Sequence, residues 1–366
     1  MQWAKRLGGA LNDRIHDIVV DLSGNIFVSA TVSNNSDFNG VSLNNNISGL
    51  AVLKIATDGT IIWSKVSANN RGLSSLALDN NGDLVIASAY NGTISFGNAT
   101  STSTGEDETF IAKLSGSTGD GVWVRGLSGT MSSSGNGIAS DGAGNIYFTG
   151  GFFGTLSYGS PSVTSAGELD SYIGKFDTNG NLAWLKSIAG TAWNNALGVA
   201  IDPSGDPVVT GYYNGTTDFG GSSLTSVRIE DVYVAKFSSA DGSLVWANSA
   251  GGSNDDNARD VFVTSSGDIY ITGFFTGEAS FGNITPQNHG NNREVFVAKL
   301  NSSGEFLTVY SGGSGDAEGG EAIAVGSTGV IHTTGYFRSA SAIFGITSLT
   351  NQGGDDVFAW KIKQGN

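Results

Sequence analysis

Ser265-Ser-Gly-Asp-Ile-Tyr-Ile-Thr-Gly273, followed at Glu294-Val-Phe-Val-Ala-Lys-Leu300 by a short apolar run ending on lysine, is the stretch from which the fold can be read. The first segment is a Gly-centred turn feeding a β-branched and aromatic strand, and the second has the pattern of a buried strand. Both return along the chain. Ser-Gly-Asn at 23–25, Asn-Gly-Asp at 81–83, Ala-Gly-Asn at 143–145 and Ser-Gly-Asp at 204–206 occupy the turn, and Lys54, Lys113, Lys175, Lys236, Lys299 and Lys361 mark the apolar run. Trp3, Trp63, Trp123, Trp184 and Trp246, with Leu307 in the sixth place, are spaced by 60, 60, 61, 62 and 61 residues. Phe38, Phe96, Tyr158, Phe219, Phe281 and Phe344 form a third series in phase with the other two. Three markers at one period describe six copies of one supersecondary unit.

Each copy reads as four strands, which in the first fall at about 15–21, 25–33, 50–56 and 61–67. The last two are joined by Asp-Gly or Asn-Gly, as at Asp58-Gly59, Asn179-Gly180 and Asp241-Gly242, the residues that accept the positive φ of a tight hairpin. The expected fold is all-β: a six-bladed β-propeller of four-stranded antiparallel blades, one domain over residues 1–366 with six repeats of about 61 residues. The chain opens on Trp3, a fourth-strand marker, and ends after a third strand at 357–362. Residues 2–7 are therefore expected to complete the last blade and close the ring.

Trp246 to Gly252, Ser265 to Gly273 and Glu294 to Leu300 resemble the bacterial β-propeller repeat family known as SBBP, and the likeness runs along nearly the whole chain. The resemblance implies large exported or surface-attached bacterial proteins, often adhesive, and carries no catalytic motif over. The family's name refers to seven blades, whereas the spacing here counts six.

With 18 basic against 33 acidic residues and no basic run, the chain lacks the phosphate-neutralising patch that nucleic acid requires. It has no cysteine, hence no disulfide and no thiolate metal site. No apolar stretch approaches the roughly 20 residues that span a bilayer, so membrane insertion is not expected. The start, Met-Gln-Trp-Ala-Lys, has no signal-peptide core, and the reading is of a mature domain that works extracellularly or at the cell surface.

Segments of about 16 residues between second and third strands, such as 34–49 and 276–292, read as long polar loops on the face shared with the connections between blades. On those connections Trp193-Asn194-Asn195 is the singular feature, because no other copy has a tryptophan there. An aromatic face beside amides suits a carbohydrate. Asp13 and Arg14, Asp256 and Asn257, and Glu318 stand at the matching places and complete the candidate ligand-binding set.

Fourteen residues after the tryptophan markers stand Asp17, Asp260 and Glu321, where other copies have Ser75, Gly137 and Gly198. Three carboxylates in consecutive blades would hold a cation such as Ca2+, or else are solvated turn residues; no cofactor is otherwise required. His16, His289 and His332 form no recognisable dyad, and no nucleophile, zinc or phosphate-loop motif is present. The chain is thus expected to be a non-catalytic binding module for a glycan or another polar surface ligand. The alternatives are a structural or adhesive propeller that contacts a surface protein, and a polysaccharide-active enzyme with its acids in the channel mouth.

Overall fold

Second and third strands of repeats 1 to 5 are the most apolar stretches because both of their faces are covered. In repeat 2, Phe110, Ala112 and Leu114 point into one apolar cluster with Phe27, Leu50 and Trp63 of repeat 1, while the intervening Ile111 points into another with Phe148 and Phe176 of repeat 3. A strand buried on both sides loses the apolar–polar alternation and reads as a continuous run.

The computed structural model of the chain describes residues 3–43, 48–290, 292–314 and 316–363, and contains no helix among them. It divides into two compact units, 1–165 with 172–186 and 166–171 with 187–366. In the first, repeat 1 is an antiparallel sheet of Arg14–Val20, Ile26–Val32, Gly49–Ile55 and Ile61–Ser67, paired in chain order. Repeat 2 follows the same order with Ser75–Leu78, Leu84–Tyr90, Glu108–Leu114 and Gly121–Gly129. Repeat 3 begins there with Ser133–Ser140 paired to Ile146–Phe152. In the second unit, repeat 4 comprises Asn194–Ile201, Pro207–Asp218, Ser223–Phe237 and Leu244–Gly252. Repeat 5 comprises Asn257–Val263, Ile269–Thr276, Arg293–Leu300 and Phe306–Gly313, and repeat 6 pairs Glu318–Val325, Ile331–Phe337 and Asp356–Ile362.

The markers have separable jobs. Three of the marker tryptophans reach from a fourth strand to the last turn of the next repeat: Trp63 Nε1 donates to the Gly116 carbonyl, Trp123 to Thr178 and Trp246 to Ser302. The indole lies on the turn glycine so closely that a Cβ on Gly119 would sit 2.6 Å from Trp63, and one on Gly304 2.8 Å from Trp246. Trp3 holds the same position on repeat 1, donating to the Thr57 carbonyl. Four of the lysines pair their heads with an acid of the first turn: Lys54, Lys113 and Lys236 with the acid that opens it, Lys113 with Asp79 at 2.6 Å, and Lys299 with Asp268, which closes it, at 2.9 Å. In the Thr-Gly motif, Thr210 and Thr272 donate to third-strand carbonyls. The glycine that follows faces a bulge in the first strand; a Cβ on Gly273 would lie 1.9 Å from the Asn257 carbonyl oxygen.

Two expectations are corrected. The segments between second and third strands are not open loops, because their chain folds into small hairpins such as Thr93–Phe96 with Ala99–Thr102 and Ser341–Phe344 with Thr347–Thr350. Several of these dock on the preceding fourth strand, Ser128 and Gly129 pairing with Ser157 and Leu156, and Ala250 to Gly252 with Phe281 to Ala279. The third marker packs each hairpin on the third strand of its own repeat: Phe96, Phe219 and Phe281 are buried against Phe110, Tyr233 and Phe296. Residues 44–47 of the first such segment and Asn291 of another lie outside the described residues. The expected strand over 2–7 is likewise shorter. Gln2 lies outside the described residues, residues 3–6 form no strand, and Leu7–Gly8 pair with Phe38 and Asp37 of repeat 1.

Removing a buried indole leaves a void over the turn it covers. Trp123→Ala is expected to lower stability in urea unfolding by about 3–5 kcal/mol. A loss below about 1 kcal/mol would mean that the turn contact is not a packing anchor.

Candidate ligand-binding site

The connection between repeats 3 and 4 is a three-residue bridge, Thr191-Ala192-Trp193, pinned at both ends. Before it, Gly190 N–H donates to Asp170 Oδ1 at 2.8 Å. After it, Asn194 N–H donates to the Leu169 carbonyl, and its side chain accepts from Ser171 N–H at 2.7 Å and donates to Asp170 Oδ1 at 2.6 Å. Thr191 and Asn214 add backbone bonds to Thr216 and Trp193. With its ends fixed, the bridge presents Trp193 to solvent at 51% exposure. The indole N–H meets the Glu168 carboxylate, and Glu168, Thr191, Ala192, Trp193 and Asn214 line an open recess of about 340 Å3.

The other candidate ligand-binding residues separate by what their side chains already hold. Asn194 is fully buried and spent on Asp170 and Ser171, so it shapes the bridge and does not face a ligand. Asn195 lies opposite Tyr212 in the strand pair. Asp13 accepts from Gly9 N–H at 2.6 Å, Ser33 N–H at 2.7 Å and Ser36 Oγ at 2.7 Å, and these bonds hold its carboxyl below the usual range although burial opposes them. Asp256 and Glu318 are fully buried and Asn257 nearly so. Arg14, by contrast, is exposed. Asp13, Asn194, Asp256 and Glu318 hold one structural position, four residues before the residue that follows the first-strand bulge, and that position points inward.

The proposed cation ligands are corrected by the same register. Asp17 and Asp260 each follow a bulge, but in repeat 6 that place is Ala322, and Glu321 is the bulged residue, matching His16 and Arg259. Asp17 accepts from Ile18 N–H and from Leu76 N–H of the next repeat, both at 2.7 Å; Asp260 does the same with Val261 and Ile323, both at 2.8 Å. These acids latch neighbouring first strands together. Glu321 is paired with the Arg259 guanidinium at 2.8 Å. Among the described residues no group of three or more His, Asp or Glu could hold a metal ion. His16 is a bridge as well, bonded to Ser74 and Thr31, and burial lowers it to about 4.

Glu168, Thr191 and Asn214 were not anticipated from the sequence. A signal for Glu168 existed: Glu106 and Glu168 stand at the same offset before Lys113 and Lys175, and Glu106 likewise accepts from the following connection, through Ser132 Oγ at 2.8 Å.

Comparison with known proteins agrees with the repeat. Residues 2–39 match the beta-propeller repeat family, SBBP. A sequence relative is an uncharacterized WD repeat-containing protein, L264, of Acanthamoeba polyphaga mimivirus, 30% identical across 38% of this chain. The chain spans only 11% of that relative's length. Among solved structures, a catalytically inactive virginiamycin B lyase from Staphylococcus aureus aligns over 97% of this chain and 88% of its own at 11% identity and a TM-score of 0.43. A europium-containing methanol dehydrogenase aligns over 97% and 68% at 12% identity and a TM-score of 0.43. Both are named as enzymes, and the expectation of a non-catalytic chain is withdrawn, since a repeated β scaffold does not argue against catalysis.

The latch reading separates two substitutions at Asp260. Asp260→Ala leaves both the Val261 and the Ile323 N–H without an acceptor and is expected to cost about 1–3 kcal/mol, whereas Asp260→Asn keeps one of the two acceptor oxygens and should cost about half as much. Equal losses, measured by thermal or urea unfolding, would contradict the latch.

Proposed function

We propose that the chain is a single six-bladed β-propeller that binds a polar ligand, foremost a glycan, through the bridges between its repeats, at a cell surface or outside the cell. The observation that carries this reading is the exposed Trp193 on a bridge whose ends are fixed by buried hydrogen bonds, beside Glu168, Thr191 and Asn214. An indole face packs on the apolar side of a sugar ring, while carboxylate, hydroxyl and amide groups meet its hydroxyls. Because the bridge is pre-ordered, little conformational entropy is lost on binding.

Ring closure is supported by Trp3, which occupies on repeat 1 the place that Trp63 occupies on repeat 2. It is supported too by the exposed Ile18, Val20 and Val357 on the first and last repeats: Ile138, Val199 and Val261 match Ile18, Val295 matches Val357, and all four are buried. A surface protein as partner is the second reading. Leu11, Leu73 and Met131, on the matching bridges of the first unit, are exposed apolar residues suited to a protein surface, and the mimivirus relative is named for WD repeats.

A glycan array identifies the ligand, and calorimetry with the best hit tests the site. Trp193→Ala is expected to weaken binding about tenfold or more, near 1.4 kcal/mol, with Trp193→Phe intermediate. Undiminished affinity of Trp193→Ala would overturn the assignment, and an array without hits would turn the reading toward a protein partner.

A further inference from the structure

The bridge from repeat 4 to repeat 5 has polar residues at the same two places as the Trp193 bridge but ties its ends differently, since Gly252 N–H goes to Asp256 whereas Gly190 N–H goes to Asp170. Asp170 and Asp231 both stand five residues before the marker lysine, and Asn194 and Asp256 both stand four before the residue that follows the bulge. In the first pair the Asn194 amide donates to Asp170 Oδ1 at 2.6 Å. In the second an aspartate replaces the amide, and an ionised carboxylate has no hydrogen to donate.

The two side chains nonetheless reach the same glycine. A Cβ placed on Gly251 would lie 2.6 Å from Asp231 Oδ1 and 2.8 Å from Asp256 Oδ2, so both oxygens flank one point. Asp256 accepts from Thr276 N–H at 2.9 Å and Gly252 N–H at 2.7 Å, and Asp231 Oδ2 accepts from Val227 N–H at 3.0 Å. Asp231 Oδ1 is buried without a hydrogen-bond partner. Among the described residues no lysine or arginine lies within ion-pair distance of either acid. The other titratable groups acting on the pair are Asp255 beside Asp256 and Tyr213 beside Asp231, with Glu230 and Arg293 one step further out.

We propose that Asp231 and Asp256 share one proton at neutral pH, its O–H standing where the Asn194 amide N–H stands in the preceding bridge, and that losing it loosens the 252–256 bridge. Burial, with the Asp231 and Asp255 charges adding to it, pushes Asp256 up to about 8, and burial raises Asp231 to about 6. The pair titrates as a unit. An acid raised on folding is protonated in the native chain while the unfolded chain has lost its proton. Its stabilisation is therefore complete below the ordinary value of 3.8, falls as pH rises, and is gone above about 8.

Melting temperatures of the wild type and Asp256→Asn, taken from about pH 5 to pH 9, test this, because the variant restores the amide of the neighbouring bridge. The wild type should lose stability relative to the variant across that range, with the curves levelling apart above about pH 8. Parallel curves would overturn the proposal. Carboxyl-carbon NMR titration of the wild type gives an answer independent of any variant: one carboxyl of the pair should keep its proton past about pH 7, and two titrations below about pH 5 would equally overturn it.

Discussion

A chain that leaves one sheet and enters the next must abandon its ladder, and the N–H groups freed there need an acceptor. In this protein a buried or half-buried side chain on the bridge supplies it. Asp13 takes the N–H groups of Gly9 and Ser33, Ser133 that of Thr109, Asn194 that of Ser171, and Asp256 those of Gly252 and Thr276. An unmet buried amide costs about 1–3 kcal/mol, so the tie can hold a bridge that has few apolar contacts of its own. Residues between the ties can then be exposed without being loose, which is what a binding surface asks of its scaffold.

Most of the fold was legible because its requirements are local and repeated. The turn glycines need positive φ, the second and third strands need apolar residues on both faces, and the tryptophan needs a glycine beneath it; all recur near every sixty residues. The hairpins within the second-to-third segments were not legible. Their strands are three or four residues of Ser, Thr and Ala, such as Ala99–Thr102, and only the single aromatic of the third marker series announces that they are packed.

The site was legible in part. Trp193 stood out as a residue without counterparts, and it is the exposed one. Its neighbours on the same stretch were misjudged because polarity on a bridge was taken as a sign of exposure, whereas Asn194 and Asp256 are polar for the backbone's sake. The apparent cluster of Asp17, Asp260 and Glu321 came from counting residues from the tryptophan. The bulge in each first strand is the better ruler, and it moves Glu321 to the place of Arg259. Only a pairing register exposes that difference.

The proposed binding surface is that of the bridges and not of the tight turns. Amide hydrogen exchange, with and without the best array ligand at saturation, measures this directly. Protection should appear at residues 166–171, 191–195 and 214–216, with the turn at 202–206 unchanged. Protection confined to the turns at 202–206 and 240–242 would contradict it.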